Sequence, residues 1–249
     1  MFHVKRGVGT TELLRLQAVE WGLSLGQGRL GRLEQFARLL SGYEEANVIG
    51  VRELRAVMLD HVLDSLSCFL FEPLGAARSL VDVGSGGGLP GIPIKIAEPR
   101  PRATLVEATS KKARFLRLAV EALELEGVRI TDARVEEVSR AQEHRGAYEV
   151  ATARAVARLS VVAEYCVPLL RVGGHVVAMK GRPDDEEIAE GERAATELGA
   201  TVTDVIPVSR LPELEKKERC LVILQKVEST PVRYPRKVGV PAKKPLGVV

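Results

Sequence analysis

The sequence is poor in the residues that build metal centres and disulfide frameworks. It contains three cysteines and four histidines in 249 residues, and Cys68, Cys166 and Cys220 lie far apart with no C-x-x-C pair. The histidines do not cluster with the cysteines. These absences argue against a zinc site and against a disulfide framework, and they favour a reducing cytoplasm.

Long apolar runs are also missing. No run approaches the length that crosses a bilayer, and the N-terminus lacks the apolar core of a signal peptide. There is no low-complexity tract and no repeat at a fixed period. With 45% hydrophobic residues, the chain has enough material for one large α/β domain and an accessory part. We therefore expect a cytoplasmic protein that does not contact a membrane.

Charge is small in sum and uneven in distribution. The formal net charge is +3, but the segment from Lys226 to the C-terminus has one acidic residue, Glu228, against six basic ones. Those basic residues are Lys226, Arg233, Arg236, Lys237, Lys243 and Lys244. A basic tail on a near-neutral body predicts a polyanionic partner, most commonly nucleic acid, although a tail that only promotes solubility has the same composition.

A glycine-rich stretch from Ser79 to Pro93 organises the chain, and it reads as strand, tight turn and helix. The spacing Asp82-x-Gly84-x-Gly86-x-Gly88 resembles motif I of class I S-adenosylmethionine (AdoMet) methyltransferases. The overlapping Gly86-x-Gly88-x-x-Gly91 also satisfies the dinucleotide fingerprint. Free N–H groups in the turn and at the helix N-terminus favour polar or anionic ligand groups. A glycine-rich turn without a ligand is the third possibility.

The remaining periodicity divides the chain into three parts. Residues 1–75 contain three apolar faces with a 3.6-residue period and no strand signal, which predicts a helical N-terminal cap. Residues 76–227 alternate between strands and helices, and we interpret them as the AdoMet-binding methyltransferase domain. Residues 228–249 form the basic C-terminal tail.

One acidic residue stands at the end of the second predicted strand. Glu107 follows Asp82 by 25 positions, near where doubly wound folds place an acid that accepts hydrogen bonds from ribose hydroxyls. An ordinary acidic strand end is the alternative. Later in the domain, helices are predicted over 111–126, 159–170 and 184–198, with the fifth strand at 175–179.

The last two strands discriminate between the two ligands. Residues 201–206 and 220–224 follow each other with only a charged loop between them, which predicts a terminal hairpin. A dinucleotide domain continues with βαβ units, whereas this hairpin fits the class I methyltransferase order 3-2-1-4-5-7-6. We therefore expect a seven-stranded Rossmann-like sheet with an antiparallel last strand, and AdoMet is favoured over NAD.

The absence of certain catalytic motifs also narrows the range of possible methyl acceptors. No cysteine follows a proline, as cytosine-C5 methylation requires, and the chain has no Pro-Pro for an amino-directed motif after strand four. Guanine N7 carries a lone pair and no proton, so its methylation needs no general base. Arg154 and Lys180 are candidates to bind the guanine edge or a phosphate, and structural roles are equally open for both.

Several segments together resemble the bacterial RsmG (GidB) family of small-subunit rRNA guanine-N7 methyltransferases. The resemblance spans nearly the whole chain and is carried by residues 60–66, 84–93, 134–137, 153–155, 179–181 and 233–246. The turn Leu89-Pro-Gly-Ile-Pro93 and the tail segment Tyr234-Pro-Arg-Lys237 are its most specific parts. One departure is Asn47-Val48-Ile49, where family members often have Asn-Leu-Thr.

The resemblance implies AdoMet as methyl donor and N7 of guanine 527, in the 530 loop of 16S rRNA, as acceptor. It places the following residues at AdoMet: Gly84, Ser85, Gly86, Leu89, Glu107, Ala108, Thr109, Val135, Glu136 and Arg154. Arg154 and Lys180 are its catalytic candidates. It implies RNA contacts for the tail residues Arg233, Arg236, Lys237, Lys243 and Lys244.

The expected partner is the small ribosomal subunit, and we expect a monomer. His61 and Asp64, three positions apart on one helix face, are weaker candidates for the pocket wall. Two other functions compete with the methyltransferase. An NAD(P)-dependent oxidoreductase fits the second glycine pattern, and a non-enzymatic RNA-binding assembly factor would need no methyl donor.

Overall fold

The computed structural model describes residues 9–212, 214 and 218–248. Seven strands form one sheet in the order β3-β2-β1-β4-β5-β7-β6. The strands are β1 (Ser79–Val83), β2 (Arg102–Glu107), β3 (Val128–Asp132), β4 (Tyr148–Arg154), β5 (Leu170–Lys180), β6 (Ala200–Pro207) and β7 (Cys220–Lys226).

Strands β1 to β5 are parallel, and β7 runs antiparallel to both β5 and β6. This arrangement confirms the seven-stranded sheet and the terminal hairpin expected from the sequence. The central strands are buried on both faces, as their continuous apolar sequences require in a parallel sheet. The edge strand β6 is largely exposed.

Ten α-helices accompany the sheet in the described residues. They are α1 (Thr10–Glu20), α2 (Gln27–Gly42), α3 (Leu54–Ala56), α4 (Leu63–Leu66), α5 (Gly91–Ala97), α6 (Ser110–Ala122), α7 (Val135–Val138), α8 (Leu159–Cys166), α9 (Asp185–Glu197) and α10 (Val240–Lys243). A π-helical turn, Val57–Val62, joins α3 to α4, and 3-10 turns span Ser67–Leu70, Glu72–Ala76 and Val167–Leu169.

Three element bounds differ from the sequence prediction by more than two residues. Helix α6 ends at Ala122 rather than at residue 126, because Glu124 (φ 49°) and Gly127 (φ 67°) leave the helical region. Helix α8 ends at Cys166, and a 3-10 turn that contains Pro168 follows it. Strand β5 begins at Leu170, five residues before the predicted start.

Two large apolar clusters cover opposite faces of the sheet. Leu105 belongs to the first and its neighbour Val106 to the second, because successive strand residues point to opposite faces. The first cluster joins α1 and α2 to α5 and α6, so the N-terminal helices share a hydrophobic core with the α/β domain. Among the described residues, no helix combines the length and apolar character needed to cross a membrane.

The basic tail folds back on the domain. Arg236 pairs with the fully buried Glu164 of α8 at 2.6 Å. The Arg145 guanidinium donates to the carbonyls of Thr230 and Tyr234, and the Tyr234 hydroxyl donates to Glu197 of α9. The tail is therefore part of the packed structure as well as a source of positive charge.

Candidate functional site

The glycine turn after β1 is held by the buried carboxylate of Asp82. This carboxylate accepts hydrogen bonds from the Thr152 hydroxyl of β4 (2.8 Å) and from the Gly91 N–H at the start of α5 (3.2 Å). Complete burial raises the pKa of Asp82 to about 6. Asp82 thus fixes the turn against the neighbouring strand and helix, and its side chain is fully buried.

Two glycines in the turn serve different purposes. Gly84 has φ +69°, a left-handed conformation that L side chains rarely adopt. Gly87 has ordinary dihedral angles, but a Cβ there would lie 2.7 Å from the carbonyl oxygen of Val48. The first glycine lets the chain turn away from β1, and the second lets the N-terminal segment approach the turn closely.

Glu107, at the end of β2, faces the turn across the carboxyl edge of the sheet. Its carboxylate accepts hydrogen bonds from the N–H of Gly86 (2.9 Å) and from the N–H of Thr109 (2.7 Å). The side chain is buried but borders a cleft. The carboxylate is thus fixed by backbone donors beside a space where a ligand's hydroxyl groups can reach it.

The cleft beside Glu107, here called the adenosine cleft, has a volume of about 540 Å³. It is lined by Val83, Gly84, Val106, Glu107, Ala108, Thr109, Ala133, Arg134, Val135, Glu136, Val156 and Tyr165. Six residues that the family resemblance places at AdoMet therefore lie together in this lining. Its walls combine two carboxylates and one arginine with apolar side chains and an aromatic ring, a composition that suits a nucleoside.

Tyr165 of α8 and Val156 are lining residues that sequence analysis missed. Burial, with the nearby carboxylates of Glu136 and Glu164, raises the pKa of Tyr165 to about 12. The phenol therefore stays neutral and keeps its proton at physiological pH. The only sequence signal for Tyr165 is its position in the helix predicted over 159–170, because the residue lies outside every motif.

The C-terminal tail reaches the wall of the adenosine cleft. The N–H of Gly239 donates to the Glu136 carboxylate at 2.8 Å, and the Arg140 guanidinium donates to the Pro235 carbonyl at 2.5 Å. Glu136 is buried. The tail thus supports the wall of this cleft, a contact that the sequence did not predict.

A second cleft, here called the acceptor cleft, lies on the other side of Gly84 and has a volume of about 660 Å³. Its lining residues are Val48, Ile49, Gly50, His61, Gly84, Ser85, Gly86, Gly87, Leu89, Lys112, Arg154 and Ala155. The clefts share Gly84. The N-terminal helical part therefore supplies one wall of the acceptor cleft, and the glycine turn supplies another.

Arg154, at the end of β4, ties the N-terminal helices to the sheet. Its guanidinium donates to the carbonyls of Asp60 (3.2 Å) and His61 (3.1 Å), contacts His61 Nδ1 (2.9 Å), and pairs with Asp64 (3.3 Å). The two carbonyls belong to the π-helical turn, a feature that often marks functional sites. Burial lowers the pKa of Arg154 from its ordinary value.

The next residue, Ala155, has φ +53°, which is unusual for a residue with a Cβ. Such strain costs about 1–3 kcal/mol and concentrates at functional sites. It turns the chain at the mouth of the acceptor cleft, directly after Arg154. Arg154 therefore contacts the N-terminal part directly beside the open cleft, and Ala155 lines the same cleft.

Lys180 does not join Arg154 in the cleft. Its ammonium group pairs with Glu187 of α9 at 2.6 Å and donates to the Ala157 carbonyl at 2.9 Å. It is not among the described residues that line either cleft. A different lysine, Lys112 of α6, lines the acceptor cleft, although sequence analysis did not single it out.

The five tail residues expected to contact RNA fall into two groups. Arg236 is engaged by Glu164, and Arg233 lies 3.6 Å from Glu197 with its guanidinium 5.0 Å from the ring centre of Tyr234. The side chains of Lys237, Lys243 and Lys244 are exposed. Arg233 is exposed as well (69%), so four of the five residues present exposed positive charge on the tail.

Sequence comparison identifies close relatives over almost the whole chain. The profile of the GidB family, described as rRNA small subunit methyltransferase G, matches residues 29–217. A protein of Rubrobacter xylanophilus named "Ribosomal RNA small subunit methyltransferase G" is 58% identical over 98% of this chain and 94% of its own length. A Chloroflexus aggregans protein of the same name is 43% identical over 96% and 99%.

Solved structures resemble the fold at much lower sequence identity. A methyltransferase titled "StiE O-MT" aligns with TM-score 0.51 and 14% identity, over 66% of this chain and 73% of that one. A mutant of MtNAS in complex with S-adenosylmethionine aligns with TM-score 0.50 and 16% identity, over 88% and 78%. These likenesses support the class I methyltransferase fold and nothing finer.

Proposed function

Because the chain belongs to the GidB family, rRNA small subunit methyltransferase G, we propose that it methylates N7 of guanine 527 in the 530 loop of 16S rRNA. It is an AdoMet-dependent rRNA methyltransferase. The observation that carries the site assignment is the meeting of the two clefts at Gly84. One cleft offers the Glu107 carboxylate, and the other contains Arg154 and Lys112.

The adenosine cleft fits the nucleoside part of AdoMet in its chemistry. Glu107 is placed to accept hydrogen bonds from ribose hydroxyls, and Val135 and Tyr165 provide apolar surface for adenine. Ala108, Thr109 and Glu136 complete that side of the cleft. Gly84, Ser85, Gly86 and Leu89 border the acceptor cleft, where the methionine part belongs. The family resemblance also places Arg154 at AdoMet, and that assignment stays a prediction that competes with a positioning role for this residue.

AdoMet supplies an electrophilic methyl group, and the residues of this chain position the donor and acceptor and exclude water. Methyl transfer from a sulfonium is an in-line displacement, so the protein must align donor and acceptor and exclude water. Guanine N7 needs no general base. The residues of the π-helical turn and of the segment from Val48 to Gly50 provide walls for the acceptor, and Arg154 fixes the π-helical turn against the sheet.

The geometry supports a positioning role for Arg154 more strongly than direct guanine contact. Its guanidinium is largely committed to Asp60, His61 and Asp64. We infer that Lys112 and the lining backbone groups are better placed to contact the RNA. Lys180, held by Glu187 and Ala157, is proposed to brace the loop between β4 and α8.

The tail lysines, the oligomeric state and the compartment complete the proposal. Lys237, Lys243 and Lys244 are proposed to contact RNA phosphates, with Arg233 and Arg236 anchoring the segment that presents them. We propose a cytoplasmic monomer whose partner is the small ribosomal subunit. Light scattering of the purified protein during size-exclusion chromatography tests the monomer.

The function is tested with small subunits from cells that lack this protein. Labelled AdoMet is supplied with the subunits or with protein-free rRNA, and the modified nucleoside is identified and mapped. We expect label as 7-methylguanosine at position 527. Label at another nucleotide would refute guanine 527 as the target but would still support methyltransferase activity. AdoMet binding with no transfer to either substrate would favour a non-enzymatic assembly factor.

A further inference from the structure

One buried carboxylate, Asp64, is surrounded by three arginines from distant parts of the chain. Arg210, in the loop between β6 and β7, lies 2.5 Å from it, Arg154 lies 3.3 Å away and Arg219 lies 3.7 Å away. Asp64 is only 2% exposed. We call these four residues the arginine cluster.

Within the part of the chain that the structure describes, the arginine cluster carries excess positive charge. Among the described residues, its three guanidiniums have Asp64 as their shared ion-pair partner, which leaves two positive charges in excess. Repulsion from Arg210 and Arg219 adds to burial in lowering the pKa of Arg154. The Nε of Arg210 is buried and finds no acceptor among the described residues. Excess buried charge with an unused donor calls for an anion.

The arginine cluster lies between two open spaces. Arg154 lines the acceptor cleft, while Arg219 lines a separate groove of about 940 Å³, open solvent included, whose walls also contain Arg182 and the carboxylates of Asp185 and Glu218. Arg182 pairs with Glu218 at 3.4 Å. Arg219 is 31% exposed, whereas Arg210 is 9% exposed, so Arg219 gives an anion in the groove access to the cluster.

We propose that Arg219 and Arg210 bind a backbone phosphate of the RNA next to the nucleotide that enters the acceptor cleft. This proposal rests on the proposed function and names a contact that fixes the target's position. Guanidinium groups bind phosphate oxygens in a bidentate, charge-assisted geometry, which suits a pair of arginines with spare donors. The AdoMet carboxylate is the competing anion, but neither Arg210 nor Arg219 lines the described walls of the two clefts that meet at Gly84.

Arg219→Gln is the test variant, because this side chain is partly exposed and its loss leaves Asp64 with two partners. Arg219→Lys keeps the charge and loses the bidentate geometry. Arg171→Gln is the matched control, since Arg171 is exposed and pairs with Glu149 at the opposite end of β5. The affinities for protein-free 16S rRNA and for AdoMet are measured for each full-length variant, the former over a series of salt concentrations.

We expect Arg219→Gln to weaken RNA binding about tenfold and to reduce the slope of log affinity against log salt by about 0.7–0.9, the value for one phosphate contact. Arg219→Lys should keep most of the slope, and Arg171→Gln should match the wild type. AdoMet affinity should be unchanged in all variants.

Unchanged RNA affinity and slope in Arg219→Gln would overturn the proposal, and an equal loss of AdoMet affinity would assign the cluster to the AdoMet carboxylate instead. Wild-type methyl transfer is measured in parallel. If the wild type binds RNA with the expected slope but transfers no methyl group, the proposed function fails while the phosphate contact stands.

Discussion

The two clefts that meet at Gly84 are built in different ways. The adenosine cleft is formed by the ends of β1, β2 and β3 and the segments that directly follow them, with α8 and the tail behind it. The acceptor cleft combines the glycine turn with segments around residues 48–61 and 154, which only tertiary packing brings together. The shape of the adenosine cleft therefore follows from the sheet, whereas the shape of the acceptor cleft depends on how the N-terminal helices pack.

We therefore expect AdoMet binding and methyl transfer to respond to different substitutions. A substitution in the adenosine cleft should change AdoMet affinity with little effect on how RNA docks. A substitution that loosens the N-terminal helices should spare AdoMet and misplace the acceptor. Single substitutions in the two clefts can test that separation.

The largest effect on function is expected for Arg154→Ala. The variant loses the contacts from β4 to Asp60, His61 and Asp64, so the acceptor wall shifts. Misplacement by about 1 Å costs on the order of 100-fold in rate. We expect methyl transfer to fall about 100-fold while the dissociation constant for AdoMet changes by less than about threefold. Single-turnover transfer and calorimetry give the two values.

Arg154→Lys is the companion variant, and it should recover little activity because one ammonium cannot replace the fork of donors. The converse pattern, in which AdoMet affinity falls as far as transfer, would make Arg154 a cofactor contact. That result would remove the separation between the clefts at this residue.

The next effect concerns the tail and is expected for Arg236→Ala. This change leaves the carboxylate of Glu164 buried without its ionic partner, which costs about 3 kcal/mol of unfolding free energy. Loosening the tail also frees Gly239 from Glu136, so AdoMet affinity should fall. Urea denaturation and calorimetry measure both effects.

Lys243→Gln with Lys244→Gln is the matched control on the same tail. Both lysines are exposed, so their loss should weaken RNA binding and leave stability and AdoMet affinity unchanged. If Arg236→Ala kept wild-type AdoMet affinity, the tail would serve RNA alone.

Glu107→Ala should act on the cofactor alone. Losing hydrogen bonds from ribose hydroxyls to a carboxylate costs about 1–3 kcal/mol of AdoMet affinity. RNA affinity should not change. Glu121→Ala, an exposed position on α6, is the control. Calorimetry that finds equal AdoMet binding in Glu107→Ala and wild type would remove Glu107 from the cofactor site.

The prediction for Asp82 concerns the pH dependence of stability rather than ligand binding. Its pKa in the folded protein is about 6, above the ordinary 3.8, so the folded state binds more protons between these values. Wild-type stability should therefore fall as pH rises from about 4 to 6 and then level off. In Asp82→Asn this part of the slope should vanish, whereas the exposed control Asp204→Asn should keep it. Urea denaturation midpoints of the wild type and both variants, measured across this pH range, test the prediction.

Local patterns in the sequence predicted residues that lie together in the lining of the adenosine cleft, and the ligand of that cleft stays a prediction. The glycine turn, the acid at the end of β2 and the terminal hairpin follow from short-range spacing, and the strand order is confirmed. The contacts of Arg154 with the π-helical turn depend on helix docking, which periodicity does not fix. Tyr165 and the contact between Gly239 and Glu136 were missed because their partners lie far apart in sequence.

The separation of the two clefts is tested most directly by hydrogen exchange of the full chain, measured alone, with AdoMet and with protein-free 16S rRNA. We expect AdoMet to protect residues 107–109 and 135–138 together with the glycine turn. RNA should protect residues 48–61 and the segment that contains Arg219. Protection of residues 135–138 by RNA alone, with residues 48–61 unaffected, would show that the two clefts do not divide AdoMet binding from RNA binding.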